Sequence, residues 1–301
     1  MAVTASGSNR SNFADILEPG LREIYFQHLS QIPTMYDKIF RVNSSSKQTE
    51  TDTSVFGFGK LVKTTEGAPI TYEDPLQGYD VTYTHEKRTK GFKVTRELVE
   101  DDQYNVINRM PKELATATAR TVESDAADIF DNAFTSGTGG DGSYLCADSH
   151  AREDGGTAQD NKETHGLDET YLETALLAMR KTLDGKGQRV LIQPDTLLVP
   201  SDLEKEAIVL LQSTGRTATN YNEINPYQGR LNLMVWDFLD DTQAWFILDS
   251  GVHQLNFFWR VRPEFSQDES FDTDAALYKV RCRYDVGFSD WRGVYGSTGT
   301  Q

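Results

Sequence analysis

The chain has 301 residues, of which 25% are charged, and 46 acidic against 30 basic side chains give a net charge of −16. This length allows one large core, or a core and a second lobe, and the acidity argues against nucleic-acid binding through clustered lysines and arginines. Two cysteines are too few for a disulfide framework, no apolar run approaches the roughly 20 residues of a membrane span, and no signal-peptide pattern is present. The sequence therefore predicts a soluble protein made in a reducing cytoplasm.

The first segment, residues 1–43, is predicted to be an arm followed by a short helix. Its first dozen residues are rich in Ser, Asn, Gly and Ala and favour a flexible chain. After Pro19, apolar residues recur at helical spacing: Leu21, Ile24, Tyr25 and Leu29. A second apolar group is predicted to anchor the segment that follows: Ile32, Met35, Tyr36, Ile39 and Phe40.

Residues 44–96 are predicted to form a long β-hairpin with little of its own to bury. Apolar side chains alternate with polar residues or glycine at strand period in both halves: Phe56, Phe58, Val81, Tyr83, Phe92 and Val94. Turn signals lie between them at residues 66–69 and 74–75. An isolated two-stranded ribbon is marginally stable in water. It must therefore lie on the body of its own chain or become ordered against a neighbouring copy.

The longest helix is predicted after an acidic stretch that begins at Glu97. Pro111 suits a first turn, residues 112–134 contain neither Gly nor Pro, and Gly137 ends the helix. At ~1.5 Å per residue its length would be about 35 Å, and its many Ala and Thr residues indicate close packing. The glycine-rich stretch at 136–165 is predicted to be a loop, whose length would suit an excursion or a partner contact.

Residues 166–262 are predicted to form an α/β lobe. Asp168 caps a helix that Gly185 ends, and a capping box at 201–204 opens a second helix. Strands are predicted at residues 189–193, 196–199, 231–236, 244–248 and 252–261. The final segment, 263–301, contains the clearest strand alternation, and its apolar face comprises Tyr278, Val280, Cys282, Tyr284, Val286 and Phe288. No internal repeat is present, and the fold class is predicted to be α+β.

No catalytic, metal-binding or cofactor-binding constellation emerges from the sequence. Cys146 and His150 are four residues apart and His165 is nearby, but a structural zinc site needs four ligands. A loop cysteine and a hydrogen-bonded histidine are therefore the expected interpretation. Cys282 lies on the apolar face of a strand, where a free cysteine behaves as a small hydrophobe, and no motif supplies a base to activate it. The sequence predicts neither an enzyme nor a bound metal or cofactor.

Several short stretches occur in an order and spacing that are together fairly specific, although each alone is weak. They are residues 91–104 (GFKVTRELVEDDQY), the long helix to Phe134, and residues 141–150 (DGSYLCADSH), 197–204 (LLVPSDLE), 225–231 (NPYQGRL) and 245–249 (WFILD). This order resembles the major capsid proteins of tailed bacteriophages, which have the Hong Kong 97-type fold. It is most similar to the Mu-like major head subunit branch, and the similarity covers nearly the whole chain after about Asn12.

The resemblance implies a structural protein of the virion that self-assembles, through pentamers and hexamers, into an icosahedral shell around double-stranded DNA. It implies five segments. Residues 1–43 would form an N-terminal arm and short helix, and residues 44–96 an E-loop hairpin that lies on an adjacent subunit. Residues 97–165 would form a peripheral domain with a spine helix, residues 166–262 an axial domain whose loops meet around the capsomer axes, and residues 263–301 a return to the peripheral domain. The acidic charge suits a container that confines DNA without base-specific binding.

The resemblance also implies partners: scaffolding, portal and decoration proteins, but no membrane, with assembly in the cytoplasm of a bacterial host. Some members of the family begin with a cleaved scaffolding segment. Its absence here is expected to reflect maturation or a separate scaffolding protein. No residue matches a motif for the Lys–Asn cross-link of some relatives, so none is predicted. Two alternatives stay open: an encapsulin-like nanocompartment shell with the same fold, and a hydrolase that uses Cys146 and His150.

Overall fold

The computed structural model describes residues 12–95, 97–98, 101, 105–215, 224–270 and 275–300. The predicted flexible arm falls almost entirely outside these residues. In chain order the helices are α1 (Asn12–Gln31), α2 (Tyr36–Ile39), α3 (Val106–Asp131), α4 (Glu169–Lys181) and α5 (Glu204–Gln212). The strands are β1 (Arg41–Ser44), β2 (Thr49–Phe56), β3 (Leu76–Thr84), β4 (Glu86–Thr95), β5 (Lys162–Glu163), β6 (Thr196–Val199), β7 (Asn232–Val235), β8 (Trp245–Leu248), β9 (Leu255–Ser270), β10 (Ala275–Phe288) and β11 (Val294–Ser297).

The described strands form three sheets. A four-stranded sheet has the order β1-β9-β10-β4, a five-stranded sheet has the order β5-β11-β8-β6-β7, and β2 and β3 form a two-stranded ribbon. Helices α1 and α3 pack together beside the four-stranded sheet, whereas α4 and α5 share a core with the five-stranded sheet. The mixed helix-and-sheet architecture predicted from the sequence is confirmed. No helix in the described ranges combines the length and the hydropathy needed to cross a bilayer.

Helix α3 is the long helix predicted from the sequence, but it begins five residues earlier than Pro111. Its preceding residue, Asn105, adopts a left-handed conformation with φ 55°, which Asn tolerates better than most residues. Pro111 therefore lies inside the helix and is buried. Small side chains along the buried stripe, such as Ala115 and Ala119, allow α1 to approach closely, and Tyr25 of α1 donates a hydrogen bond to Thr118 across 3.2 Å.

The hairpin of β9 and β10 dominates the four-stranded sheet. The apolar face predicted for β10 is correct, since Tyr278, Val280, Cys282, Tyr284 and Phe288 are all buried. Strand β9 runs through residue 270 and pairs with β10 along its length. The strand predicted at 252–261 therefore belongs to this sheet and not to the α/β lobe, so the predicted lobe boundary at residue 262 lies too late in the chain.

Two local predictions in the lobe were wrong. Residues 189–193 do not form a strand: Arg189 makes only an isolated bridge with Leu183, and the backbone N–H of Gln193 donates to the Asp249 carboxylate (2.6 Å) instead of to a sheet. The capping box is not formed either. The Ser201 hydroxyl donates to the Asp237 carboxylate (2.6 Å), and residues Ser201–Leu203 form a 3₁₀ turn before α5.

The C-terminal strand joins the two main sheets. After β10 leaves the four-stranded sheet, β11 enters the five-stranded sheet between β5 and β8. Gly296 of β11 lies so close to its neighbours that an added Cβ would stand 2.7 Å from the Cys146 sulfur and 2.8 Å from Phe246. Residues 263–301 therefore contribute to both sheets: β10 lies in the four-stranded sheet and β11 in the five-stranded sheet.

Candidate functional site

The two-stranded ribbon extends from the body of the molecule and is shorter than predicted. Strands β2 and β3 pair antiparallel from Thr49 opposite Thr84 to Phe56 opposite Leu76, and residues 57–75 connect them without regular structure. The ends of the predicted hairpin belong elsewhere, because β1 pairs with β9 and β4 pairs with β10. We call residues 49–84 the ribbon, and residues 57–72 its tip.

Buried hydrogen bonds anchor the base of the ribbon to the body. Tyr83 is 3% exposed, and its hydroxyl lies 2.7 Å from the Ser289 hydroxyl. Ser289 in turn donates to the carboxylate of Asp52 on the facing strand, and the Asn256 amide donates to Ser289 (3.1 Å). Burial raises the pKa of Tyr83 to about 12, so this phenol stays protonated. Both ribbon strands are thereby fixed to the start of β9 and the end of β10.

A second anchor holds the middle of the ribbon. The guanidinium of Arg292 lies 5.1 Å from the centre of the Phe56 ring, a cation–π contact, while it also pairs with Asp290 (2.9 Å). Further out, Lys186 pairs with Glu73 (2.7 Å), and this hydrogen bond lowers the pKa of Glu73. The base of the ribbon therefore rests on its own chain, which the sequence had left open.

The tip carries a group of exposed apolar side chains. Leu61 is fully exposed and Tyr72 is 90% exposed. The other large apolar residues there and at the adjacent end of β2 are also exposed: Val55, Phe58, Val62 and Ile70. A concentration of exposed large apolar side chains in one segment is typical of an interaction surface. The tip is therefore the part of the described chain best suited to contact another molecule.

The cysteine considered as a nucleophile is buried in the core. Cys146 has no exposed surface, its sulfur packs against Gly296, and burial raises the pKa of its thiol. A thiol that is neutral and shielded from solvent is a poor nucleophile. This geometry argues against the hydrolase alternative.

The two nearby histidines have other partners. His150 Nδ1 lies 2.6 Å from the Asp141 carboxylate and Nε2 lies 2.9 Å from the Asn161 side chain, and the ring stacks on Trp291. His165 contacts Glu163 and stacks on Tyr171. Within the described ranges, no three His, Cys, Asp or Glu side chains converge as metal ligands. That the chain lacks metal and cofactor sites stays a prediction.

The anchoring residues at the C-terminal end were not singled out in the sequence. Ser289 and Arg292 belong to no motif, and a lone serine or arginine after a strand carries no signal of a distant partner. The apolar tip left a weak signal: Leu61, Val62, Ile70 and Tyr72 occur without periodicity between glycine and proline breakers, so neither a strand nor a helix would bury them.

The fold is similar to the folds of several solved capsid proteins. A structure of the bacteriophage JBD30 capsid aligns with a TM-score of 0.60 and 14% identity over 79% of this chain and 97% of that chain. The capsid of the native GTA particle aligns with a TM-score of 0.59 and 12% identity over 100% and 94%. A virus-like particle from Pyrococcus furiosus aligns with a TM-score of 0.53 and 10% identity over 92% and 97%. The chain therefore has the Hong Kong 97-type capsid fold.

The family follows from the sequence. The profile of the family described as "phage capsid protein" matches residues 78–297, well over half of the chain. The chain belongs to this family and is a major capsid protein, a structural subunit of the virion shell. No curated protein sequence matches it. The assignment to the Mu-like branch stays a prediction.

Proposed function

We propose that copies of this chain assemble through pentamers and hexamers into a closed icosahedral shell around the double-stranded DNA of a tailed phage. The exposed apolar tip of the ribbon is the observation that supports this proposal. Burying a large apolar side chain contributes roughly 1.5–3 kcal/mol, so several such side chains on one neighbouring copy would offset the mutual repulsion of subunits that each carry a charge of −16.

In this proposal the ribbon is the E-loop, and it reaches over an adjacent subunit. Its base is already ordered by Tyr83, Ser289 and Arg292, so only the tip loses conformational freedom on assembly, which lowers the entropic cost of the contact. Helix α3 serves as the spine of the peripheral domain, together with the four-stranded sheet. The five-stranded sheet with α4 and α5 forms the axial domain.

Other partners of the shell belong to the same proposal. A scaffolding protein would direct closure, a portal would occupy one vertex, and decoration proteins would bind the outside, while synthesis would take place in the bacterial host. The acidic chain would confine DNA without reading its bases, because strong phosphate binding needs clustered cationic side chains.

An encapsulin-like compartment is the alternative with the same fold. The similarity to the virus-like particle from Pyrococcus furiosus leaves this open at the level of fold, whereas the match to the phage capsid family favours a phage shell. Electron microscopy of particles from the native source would separate the two. Large particles filled with DNA are expected, and small uniform particles filled with protein would support the compartment.

A deletion within the ribbon tests the proposed function. Residues 58–72 are replaced by a two-residue Asn-Gly turn, so that the anchors at Phe56, Glu73 and Tyr83 are kept. We expect a folded chain, with unchanged circular dichroism, that forms no closed shells in negative-stain microscopy. Closed shells of normal size from this variant would contradict the role of the ribbon as an intersubunit arm.

A further inference from the structure

A groove at one end of the five-stranded sheet carries three exposed arginines. Its volume is about 550 Å³, and it is lined by Arg180, Arg189, Arg230 and residues 190–194. Arg230 lies 5.7 Å from the Tyr227 ring centre, but in the part of the chain that the structure describes none of the three pairs with a carboxylate. Leu191 stands in the same groove with 88% of its surface exposed. We call this the arginine groove.

The topology fixes where the arginine groove lies. Strands β6 and β7 are parallel, with Thr196 opposite Asn232 and Val199 opposite Val235. Pro194 comes just before β6 and Arg230 just before β7, so the groove occupies the N-terminal end of this strand pair. Arg180, in the last turn of α4, adds its charge at the same end.

The opposite end of the same strand pair is acidic. The segments that leave β6 and β7, residues 200–206 and 236–241, contain six carboxylates and one cation, Lys205. The carboxylates are Asp202, Glu204, Glu206, Asp237, Asp240 and Asp241. Asp131 of α3 adds to this end by accepting the N–H of Asp240 (3.0 Å). Ile208 and Phe238 expose apolar surface beside these carboxylates. We call this the acidic end.

The separation of these two surfaces decides how they can interact. Four strand residues at ~3.3 Å each put about 13 Å between the two ends of β6, so the arginines and carboxylates of one copy cannot form ion pairs with each other. They can pair only between copies. A contact between different surfaces of identical chains is heterologous, and it closes into a ring when the rotation between neighbours allows it.

We propose that the arginine groove binds the acidic end of the same lobe in a second copy of this chain, head to tail around a capsomer axis. This inference rests on the proposed shell function, in which the contact would hold each pentamer and hexamer together. Leu191 and the apolar walls of the groove favour a protein segment over a nucleic-acid backbone, because phosphates offer nothing against which apolar surface is buried. Ile208 and Phe238 at the acidic end supply such surface.

Charge reversal tests the contact. Three variants of the full chain are compared with the wild type: R180E/R189E/R230E in the groove, D202K/E204K/E206K at the acidic end, and the six changes combined. We expect each triple variant to yield at least about tenfold fewer shells, since like charges then face each other across every contact. The combined variant, in which the signs are exchanged, should recover to within about threefold of the wild type.

The matched control is R109E/K112E/R120E, which reverses three exposed cations on α3 and changes the net charge by the same amount as the groove variant. Its shell yield should stay near that of the wild type. Circular dichroism establishes that each variant is folded, and R180Q/R189Q/R230Q replaces the groove variant if that one does not fold. Shell yield is measured by sedimentation and negative-stain microscopy.

Failure of the head-to-tail contact and failure of the proposed shell function would give different results. Normal shells from the groove variant, or no recovery in the combined variant, would overturn the head-to-tail contact while the shell function stood. Loss of bound nucleic acid from groove-variant shells at normal yield would overturn it in favour of phosphate binding. If the proposed function itself failed, the wild-type chain would also form no shells.

Discussion

Single buried polar residues join parts of this chain that are far apart in sequence. The Glu123 carboxylate is 3% exposed and accepts hydrogen bonds from the Met35 N–H (2.8 Å) and the Trp236 indole (2.9 Å), and burial raises its pKa. Asn161 accepts from the Ala147 N–H and donates to the Val294 carbonyl, so it ties the glycine-rich loop to β11. Because an unpaired buried polar group costs about 1–3 kcal/mol, such residues define which segments meet.

His253 provides a pH-dependent prediction at this scale. It is 4% exposed, and burial lowers its pKa to about 4, with nearby Arg41 acting in the same direction and Asp195 and Asp249 against it. The folded chain keeps the imidazole neutral while the unfolded chain binds a proton near pH 6.5. Its contribution to stability is therefore full above pH 6.5 and is lost as the pH falls towards 4, by about 2 kcal/mol between pH 7 and pH 5.

The measurement compares urea unfolding of the wild type and His253→Gln at pH 7 and pH 5. The variant has no titrating group at this position, and Gln keeps a polar side chain of similar size there. Its free energy of unfolding should therefore fall by about 2 kcal/mol less than that of the wild type over this interval. If the free energies of unfolding of the two proteins changed equally with pH, the interpretation of His253 as a buried neutral imidazole would be contradicted.

At the scale of the element, the base and the tip of the ribbon have different roles. The base is ordered by contacts within the chain, such as Phe56 beneath Arg292, and Gly185 makes room there, since an added Cβ would lie 2.7 Å from the Phe56 ring. The tip makes few contacts with the body and keeps its apolar side chains in solvent. A short ribbon is marginal by itself, and here the anchors stabilise its base while the tip stays available.

The tip can be changed without loss of the fold. In L61S/I70S/Y72S all three replaced side chains are at least 72% exposed, so the thermal midpoint of the monomer should shift by no more than about 2 °C. Shell yield should fall at least about tenfold, because the apolar area buried between copies is lost. The control K60Q/K63Q/E66Q changes exposed polar residues of the same tip. Equal yields from the two variants would contradict an apolar contact.

At the scale of the whole molecule, the two main sheets share one core. The Phe130 ring of α3 lies 5.0 Å from Phe246 of β8 and 6.0 Å from Trp236, and this cluster continues to Phe257 and Tyr284 of the four-stranded sheet. The chain also runs directly from β10 in one sheet to β11 in the other. The four-stranded and five-stranded sheets, with their helices, are therefore expected to unfold together.

This cooperativity is testable in the monomeric L61S/I70S/Y72S background. Tryptophan fluorescence and far-ultraviolet circular dichroism should give one coincident thermal transition. Adding Gly296→Ala, which overpacks the contact with Cys146, should lower stability by about 1–3 kcal/mol for both signals together. Two separate transitions, or a loss confined to one signal, would indicate that the lobes fold independently.

Local periodicity explains the predictions that succeeded. The alternation in β10 placed Tyr278 and Cys282 on a buried face, and Asp168 caps α4 by accepting the Tyr171 N–H (2.8 Å). These features depend on residues close together in the chain, so the sequence contains them. The capping box at Ser201 failed because residues Ser201–Leu203 form a 3₁₀ turn before the helix. The Ser201 hydroxyl donates to the distant Asp237, and a local pattern carries no information about such a partner.

The amino-acid sequence alone predicts the faces of the strands, the long helix, the acidic character and the family of this protein. Which sheet each strand joins depends on the three-dimensional fold, because a period of two assigns side chains to faces and not strands to partners. The fold also pairs β4 with β10 instead of with the ribbon, and it places β11 in the five-stranded sheet. It sets the arginine groove and the acidic end at opposite ends of one strand pair. Each of these depends on residues that only long-range packing brings together.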